Sequence, residues 1–100
     1  MNENKFYSFL GIIKKSGNLI SGYNICEIEI KKNKCKLIII AEDASLNTKR
    51  KFVELCEKMN IKYIVYGCKR KLGICIGKDE TSVMGIENDD MSRVVLDMLK

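Results

Sequence analysis

Residues 36–45 read Lys-Leu-Ile-Ile-Ile-Ala-Glu-Asp-Ala-Ser. The apolar run 37–41 does not alternate, and three of its members are β-branched. That is the pattern of a strand buried on both faces and covered by helices on either side. Glu42-Asp43-Ala44-Ser45 breaks the run. Phe52, Leu55, Cys56 and Met59 then recur at i, i+3, i+4 and i+7, so a helix follows to about Met59, with Ser45 or Asn47 as its N-cap. A doubly buried strand running into an amphipathic helix puts the chain in the α/β class.

The flanking segments extend this reading. Ile61–Tyr66 is a second strand stopped by Gly67, Thr81–Ile86 is a third, and an amphipathic helix carrying Val94, Val95, Met98 and Leu99 closes the chain. Upstream, Phe6, Phe9, Leu10 and Ile13 form one helical stripe, with Lys14 and Lys15 at its C-terminal end and Gly17 as its stop. Leu19–Gly22 is long enough only for a brief strand or a loop. Strands separated by helices imply a three-layer α/β/α sandwich with a mixed sheet. Cys26-Glu-Ile-Glu-Ile-Lys31 stays open: its alternation favours a strand paired in a hairpin with Leu37–Ile40, while a helix would leave two poorly resolved stripes.

Composition narrows the function classes. At 46% hydrophobic and 31% charged, the 100 residues suffice for one core, so residues 1–100 are expected to form a single domain without a linker. No apolar run approaches the roughly 18 residues that span a bilayer, and no signal-peptide pattern opens the chain, so a cytoplasmic protein without membrane association is expected. The five cysteines are odd in number, none is spaced CxxC, and there is no histidine. Neither a zinc site nor a disulfide framework is expected; small buried thiols in a reducing compartment are.

Without histidine, no Ser-His or Cys-His nucleophile pair can be built. Cys68 beside Lys69 and Arg70 could favour a thiolate, but no base or oxyanion hole accompanies it or Cys75. Glu42-Asp43 follows a buried strand where α/β enzymes place acids and Mg²⁺ ligands; the simpler reading is that Asp43 starts a turn and charges the next helix's N-terminus. Gly77-Lys78 fails the phosphate-loop pattern, since Leu72 occupies its first glycine position and Asp79 follows the lysine. No enzyme, cofactor or metal is expected.

Two segments suit a polyanion. Lys69-Arg-Lys-Leu-Gly-Ile-Cys-Ile-Gly-Lys78 sets three cations against an apolar run interrupted by glycine, a composition that could hold phosphates and pack a nucleobase. Its simpler reading is that Leu72, Ile74 and Ile76 cap the core while the lysines solvate. Ser16-Gly-Asn18 and Ser21-Gly-Tyr-Asn24 are small and polar, so backbone can approach a ligand there. A helix opening at Gly22–Asn24 would add free N–H groups. The net charge of +5 is uneven: residues 1–50 hold nine bases and five acids, while five acids and no base lie between Asp79 and Ser92.

Taken together, Lys15–Gly22, Lys36–Ser45 and Lys71–Lys78 resemble the ribosomal-protein family that binds kink-turn RNA, closest to its small bacterial YlxQ-type branch. The resemblance runs from about Phe6 to Leu99. It implies a four-stranded mixed sheet, and a helix over residues 23–32 against the local alternation. It also implies that Gly22, Tyr23 and Asn24 meet the sheared G·A pairs, while Leu72, Gly73, Ile74 and Cys75 pack beneath a base flipped out of the bulge. Lys14, Lys15, Lys69, Arg70 and Lys71 would hold phosphates. The expected partner is structured RNA, ribosomal or otherwise kink-turned, with a ribosomal or translation-factor protein as a further partner. Where the family's strongest binders carry an acid and a lysine, this chain has Ile25 and Ile28. The rival expectation is therefore a protein-interaction or ribosome-assembly module with an apolar docking patch there.

Overall fold

The computed structural model describes residues 3–100, in the order α1 (Glu3–Lys15), β1 (Leu19–Ser21), α2 (Tyr23–Lys31), β2 (Leu37–Ile40), α3 (Leu46–Met59), β3 (Lys62–Val65), α4 (Lys69–Ile74), β4 (Val83–Ile86) and α5 (Asp89–Met98). The sheet order is β1-β4-β2-β3. β2 is central, as its unbroken apolar run demands. It pairs parallel with β3, from Leu37 opposite Lys62 to Ile40 opposite Val65, and antiparallel with β4, from Leu37 opposite Ile86 to Ile40 opposite Val83. A parallel neighbour requires a crossover, and α3 supplies it. β1 closes the far edge, antiparallel to β4.

Helices cover both faces. α2 and α3 pack on each other and on the sheet, and α1 pairs with α5 across it. α1 buries Phe6, Leu10 and Ile13, and α3 buries Phe52 and Cys56, as their spacings predict. Ser45 is the N-cap of α3, its hydroxyl accepting from the Thr48 N–H at 3.1 Å. Burial pushes the thiols of Cys35 and Cys56 up to about 12 and about 11, and that of Cys26 higher still, so all three behave as small core hydrophobes. No described helix is long and apolar enough to cross a membrane.

The local reading of Cys26–Lys31 as a hairpin strand is overturned. Both edges of β2 are already occupied by β3 and β4, so no pairing site remains for a hairpin partner. Cys26 and Ile30, four residues apart, are instead buried on one side of a helix, and Ile25 and Ile28 face solvent. The segment after β3 contains a short helix, α4. Lys69–Ile74 is helical in spite of Gly73, and β4 begins only at Val83, two residues later than the apolar pattern suggests.

Candidate functional site

The register brings the C-terminal ends of β1, β2 and β3 to the same end of the sheet as the start of β4, because Ser21 lies opposite Met84 and Ile40 lies opposite both Val83 and Val65. α2, α3 and α4 all begin at this end. The segment 81–83 holds them together. Thr81 N–H donates to Lys69 C=O at 3.0 Å, Ser82 C=O accepts from Ala41 N–H at 2.8 Å, and Val83 C=O accepts from Gly22 N–H at 3.0 Å. The starts of α2 and α4, about fifty residues apart in sequence, thus flank one short stretch of backbone.

Gly22 sits at φ +105°, a conformation open to glycine and costly for other residues. No side chain caps α2, and its first backbone bond is Cys26 N–H to Gly22 C=O at 3.0 Å. The N–H groups of Tyr23, Asn24 and Ile25 precede that bond and point along the helix axis, where an anion or a base-edge acceptor can meet them. Tyr23 and Asn24 are themselves exposed.

α4 is held by the carboxylates that follow β2. Asp43 Oδ1 accepts from Lys69 N–H at 2.8 Å, and Glu42 Oε1 accepts from Gly67 N–H at 3.1 Å. Glu42-Asp43 therefore anchors the start of α4. The expectation that Asp43 charges the next helix in sequence places it one helix too early. Arg70 and Lys71 are exposed, Lys69 half-exposed, and among the described residues Lys71 makes only a long 3.5 Å contact with the exposed Glu3.

The expected base platform needs correction within this helix. Leu72 has no exposed surface and Gly73 is buried, so both pack into the core of this fold and offer no open apolar face. Ile74 is 59% exposed and is the apolar residue that faces outward. Cys75 is half-buried and its Sγ donates to Leu72 C=O at 3.0 Å. Burial pushes its thiol up to about 11, opposite to the direction a catalytic thiolate requires.

Lys14 and Lys15 lie on a shallow groove of about 600 Å³ between α1 and the turn after α4, with Tyr7, Gly11, Ile12, Cys75 and Gly77. They join Cys75 there rather than Gly22. The expected residues thus form two adjacent sets, one where α2 and α4 begin and one along α1, connected by α4.

Lys51 was not anticipated at this site. Its Nζ lies 5.0 Å from the centre of the Tyr23 ring, which also packs edge-on against Phe52 at 5.1 Å. The same ammonium reaches Glu27 Oε2 at 2.7 Å, with Lys31 on that oxygen at 3.2 Å. Those two lysines hold the Glu27 carboxyl below its ordinary range, and the bond to Glu27 raises Lys51. The basic run Lys49–Lys51 is visible in the sequence, but nothing local ties it to Tyr23. Ile25 and Ile28, 50% and 51% exposed, lie one turn apart on α2.

The sequence profile of the ribosomal protein L7Ae/L30e/S12e/Gadd45 family matches residues 4–96. The RNA-binding protein YlxQ of Bacillus subtilis is 25% identical over 99% of both chains. Its namesake from Enterococcus faecium is 24% identical over 99% of this chain and 95% of its own. A solved Bacillus halodurans protein of unknown function superimposes with a TM-score of 0.92 at 29% identity, covering 97% of this chain and 98% of that one. A Giardia lamblia 15.5 kD RNA-binding protein has the same fold, with a TM-score of 0.81 at 23% identity over 99% and 88% of the two chains.

Proposed function

The chain belongs to the ribosomal protein L7Ae/L30e/S12e/Gadd45 family, and from that premise we propose that it is a non-catalytic RNA-binding protein whose target is a structured RNA with a kink-turn-like internal loop. The observation that carries this reading is the meeting of the α2 and α4 starts on either side of residues 81–83. One side offers unbonded N–H groups with Asn24. The other offers Lys69, Arg70 and Lys71 with the exposed Ile74. An internal loop presents backbone phosphates and unstacked bases close together, and this end of the sheet has a group for each. The two full-length bacterial relatives carry the name RNA-binding protein. A ribosome- or translation-associated role in the cytoplasm is part of the same proposal, and the family membership supports it.

The test is binding of a kink-turn RNA and of an unkinked control of equal length across a salt series. Tighter binding of the kinked RNA at every salt concentration is expected. Equal and steeply salt-dependent affinities would reduce the interaction to nonspecific charge attraction. The exposed pair Ile25 and Ile28 favours a second reading, in which the same surface docks an apolar patch of a ribosomal or translation-factor protein. Absence of affinity for either RNA would favour it.

A further inference from the structure

The end of the sheet opposite the α2–α4 surface carries a separate basic pocket. We infer that this pocket binds a phosphate group, as a second ligand site independent of the RNA surface. It has a volume of about 310 Å³ and forms where β2 and β3 begin, against the first turns of α5. Lys36 just before β2, Lys62 at the start of β3 and Arg93 on α5 all line it, and Asp89 is the one acid on its wall. Among the described residues, neither Lys36 nor Lys62 has an ion-pair partner, and Arg93 has only a 3.6 Å contact to the well-exposed Asp90. Three cations gathered on one concavity repel one another, and a bound dianion relieves that repulsion.

Two further features fit the same ligand. Ser92 is 4% exposed, lines the pocket, and its buried hydroxyl oxygen has no hydrogen-bond partner. A hydroxyl can turn its O–H toward an acceptor seated beside it, and a phosphate oxygen supplies one. Asn33 and Asn60 are the only non-glycine residues with positive φ among the described residues, at 63° and 59°, and both stand on this pocket. Each lines the wall where a helix has just ended, and an asparagine amide there is a neutral donor available to the same oxygens. Ile61 and Leu96 give the pocket an apolar side, and its volume is at the lower end of the range for small ligands, enough for a phosphate ester of about mononucleotide size. β2 separates the pocket from the RNA surface by roughly 13 Å, four residues of strand, so one phosphate cannot serve both.

The test is amide-resolved NMR titration of the whole chain with inorganic phosphate, adenosine 5′-monophosphate, adenosine and a short single-stranded oligoribonucleotide, at ionic strength held constant with chloride. Saturable shifts at Asn33, Lys36, Asn60, Lys62, Ser92 and Arg93 are expected with the phosphate-bearing probes and not with adenosine. The relative affinities of the monophosphate and the oligoribonucleotide then tell a free phosphate ester from a nucleic-acid backbone. Lys62→Gln and Arg93→Gln, both at exposed positions, should each weaken binding at least fivefold, and Asp89→Asn should tighten it. Shifts without saturation, equal shifts with adenosine, or shifts confined to α2 and α4 would overturn the inference. Kink-turn RNA binding should be unchanged by Lys62→Gln, so failure of the pocket and failure of the RNA reading are separable.

Discussion

Gly73 lies so close to Glu80 that a Cβ at position 73 would stand 2.4 Å from the Glu80 Cα and 2.6 Å from its nitrogen. Both neighbours are backbone atoms and cannot swing aside. The glycine within Leu72-Gly73 is therefore needed for two chain segments to pass, one descending through α4 and one returning toward β4. Gly73→Ala must push the 79–81 backbone away, breaking the Thr81–Lys69 bond that positions α4. Overpacking of this kind costs about 1–3 kcal/mol, and a clash with backbone belongs at the upper end of that range. Urea unfolding should show the loss. Gly77→Ala is the control: no atom lies within 4 Å of its Cβ, and only its φ of +80° resists substitution. It should cost about 1 kcal/mol.

Leu72 and Ile74, two residues apart on α4, should separate stability from binding. Leu72 is wholly buried, so Leu72→Ala leaves a cavity and should cost about 2–5 kcal/mol in chemical denaturation. Ile74 is largely exposed, so Ile74→Ser should stay within about 0.5 kcal/mol of the parent protein while weakening RNA affinity at all salt concentrations. If Ile74→Ser leaves RNA affinity intact, Ile74 is not part of the base platform.

The basic start of α4 makes a different prediction. Arg70→Ala removes an exposed cation and should weaken RNA binding uniformly across sequences, lowering the slope of log affinity against log salt by about one. Asn24→Ala should instead reduce the preference for the kinked RNA over its control, with little change in slope, because a neutral amide releases no counterion. Parallel changes in slope and preference for both variants would mean that the two helix starts do not divide the work this way.

How much of this was legible in the sequence depends on the reach of each signal. The burial of β2 on both faces was readable because an unbroken Leu37–Ala41 run fits a strand covered by helical layers on either side. α2 was not readable locally, since Glu27 and Glu29 alternate with isoleucines as in a strand. As a helix it packs against α3, including Tyr23 on Phe52, about thirty residues away, and such tertiary contacts override a short local pattern. The burial of Leu72 and Gly73 is not visible locally, because the backbone that packs against Gly73 comes from Glu80, beyond α4. The pairing of Gly22 with Val83 is likewise a sheet-register fact, with no signature near either residue. The Lys36, Lys62 and Arg93 pocket has no local signature: Lys36 ends the basic run 31–36, while Lys62 and Arg93 stand alone in sequence and only the fold brings them to it.

Glu87, just past β4, gives the pH prediction. One of its carboxylate oxygens is buried without a hydrogen-bond partner. Burial chiefly, and then the facing Glu29 carboxyl, raise its pKa above the ordinary glutamate range, with Lys34 opposing weakly. A carboxyl whose folded pKa exceeds its unfolded value binds its proton more tightly in the folded state. Its contribution to stability is therefore complete below the unfolded pKa and is lost as pH rises through the folded pKa. Once ionised, the carboxylate is less favourable in the folded state than in the unfolded one, which is the sense of the raised pKa. Glu87→Gln removes that charge while keeping the shape, and should raise stability at pH 7 relative to the parent. Near pH 4 the two proteins should converge, because the parent carboxyl is then neutral as well. Urea midpoints measured from pH 4 to pH 8 will decide it, and a parent-minus-variant difference that does not change with pH would remove Glu87 from the account.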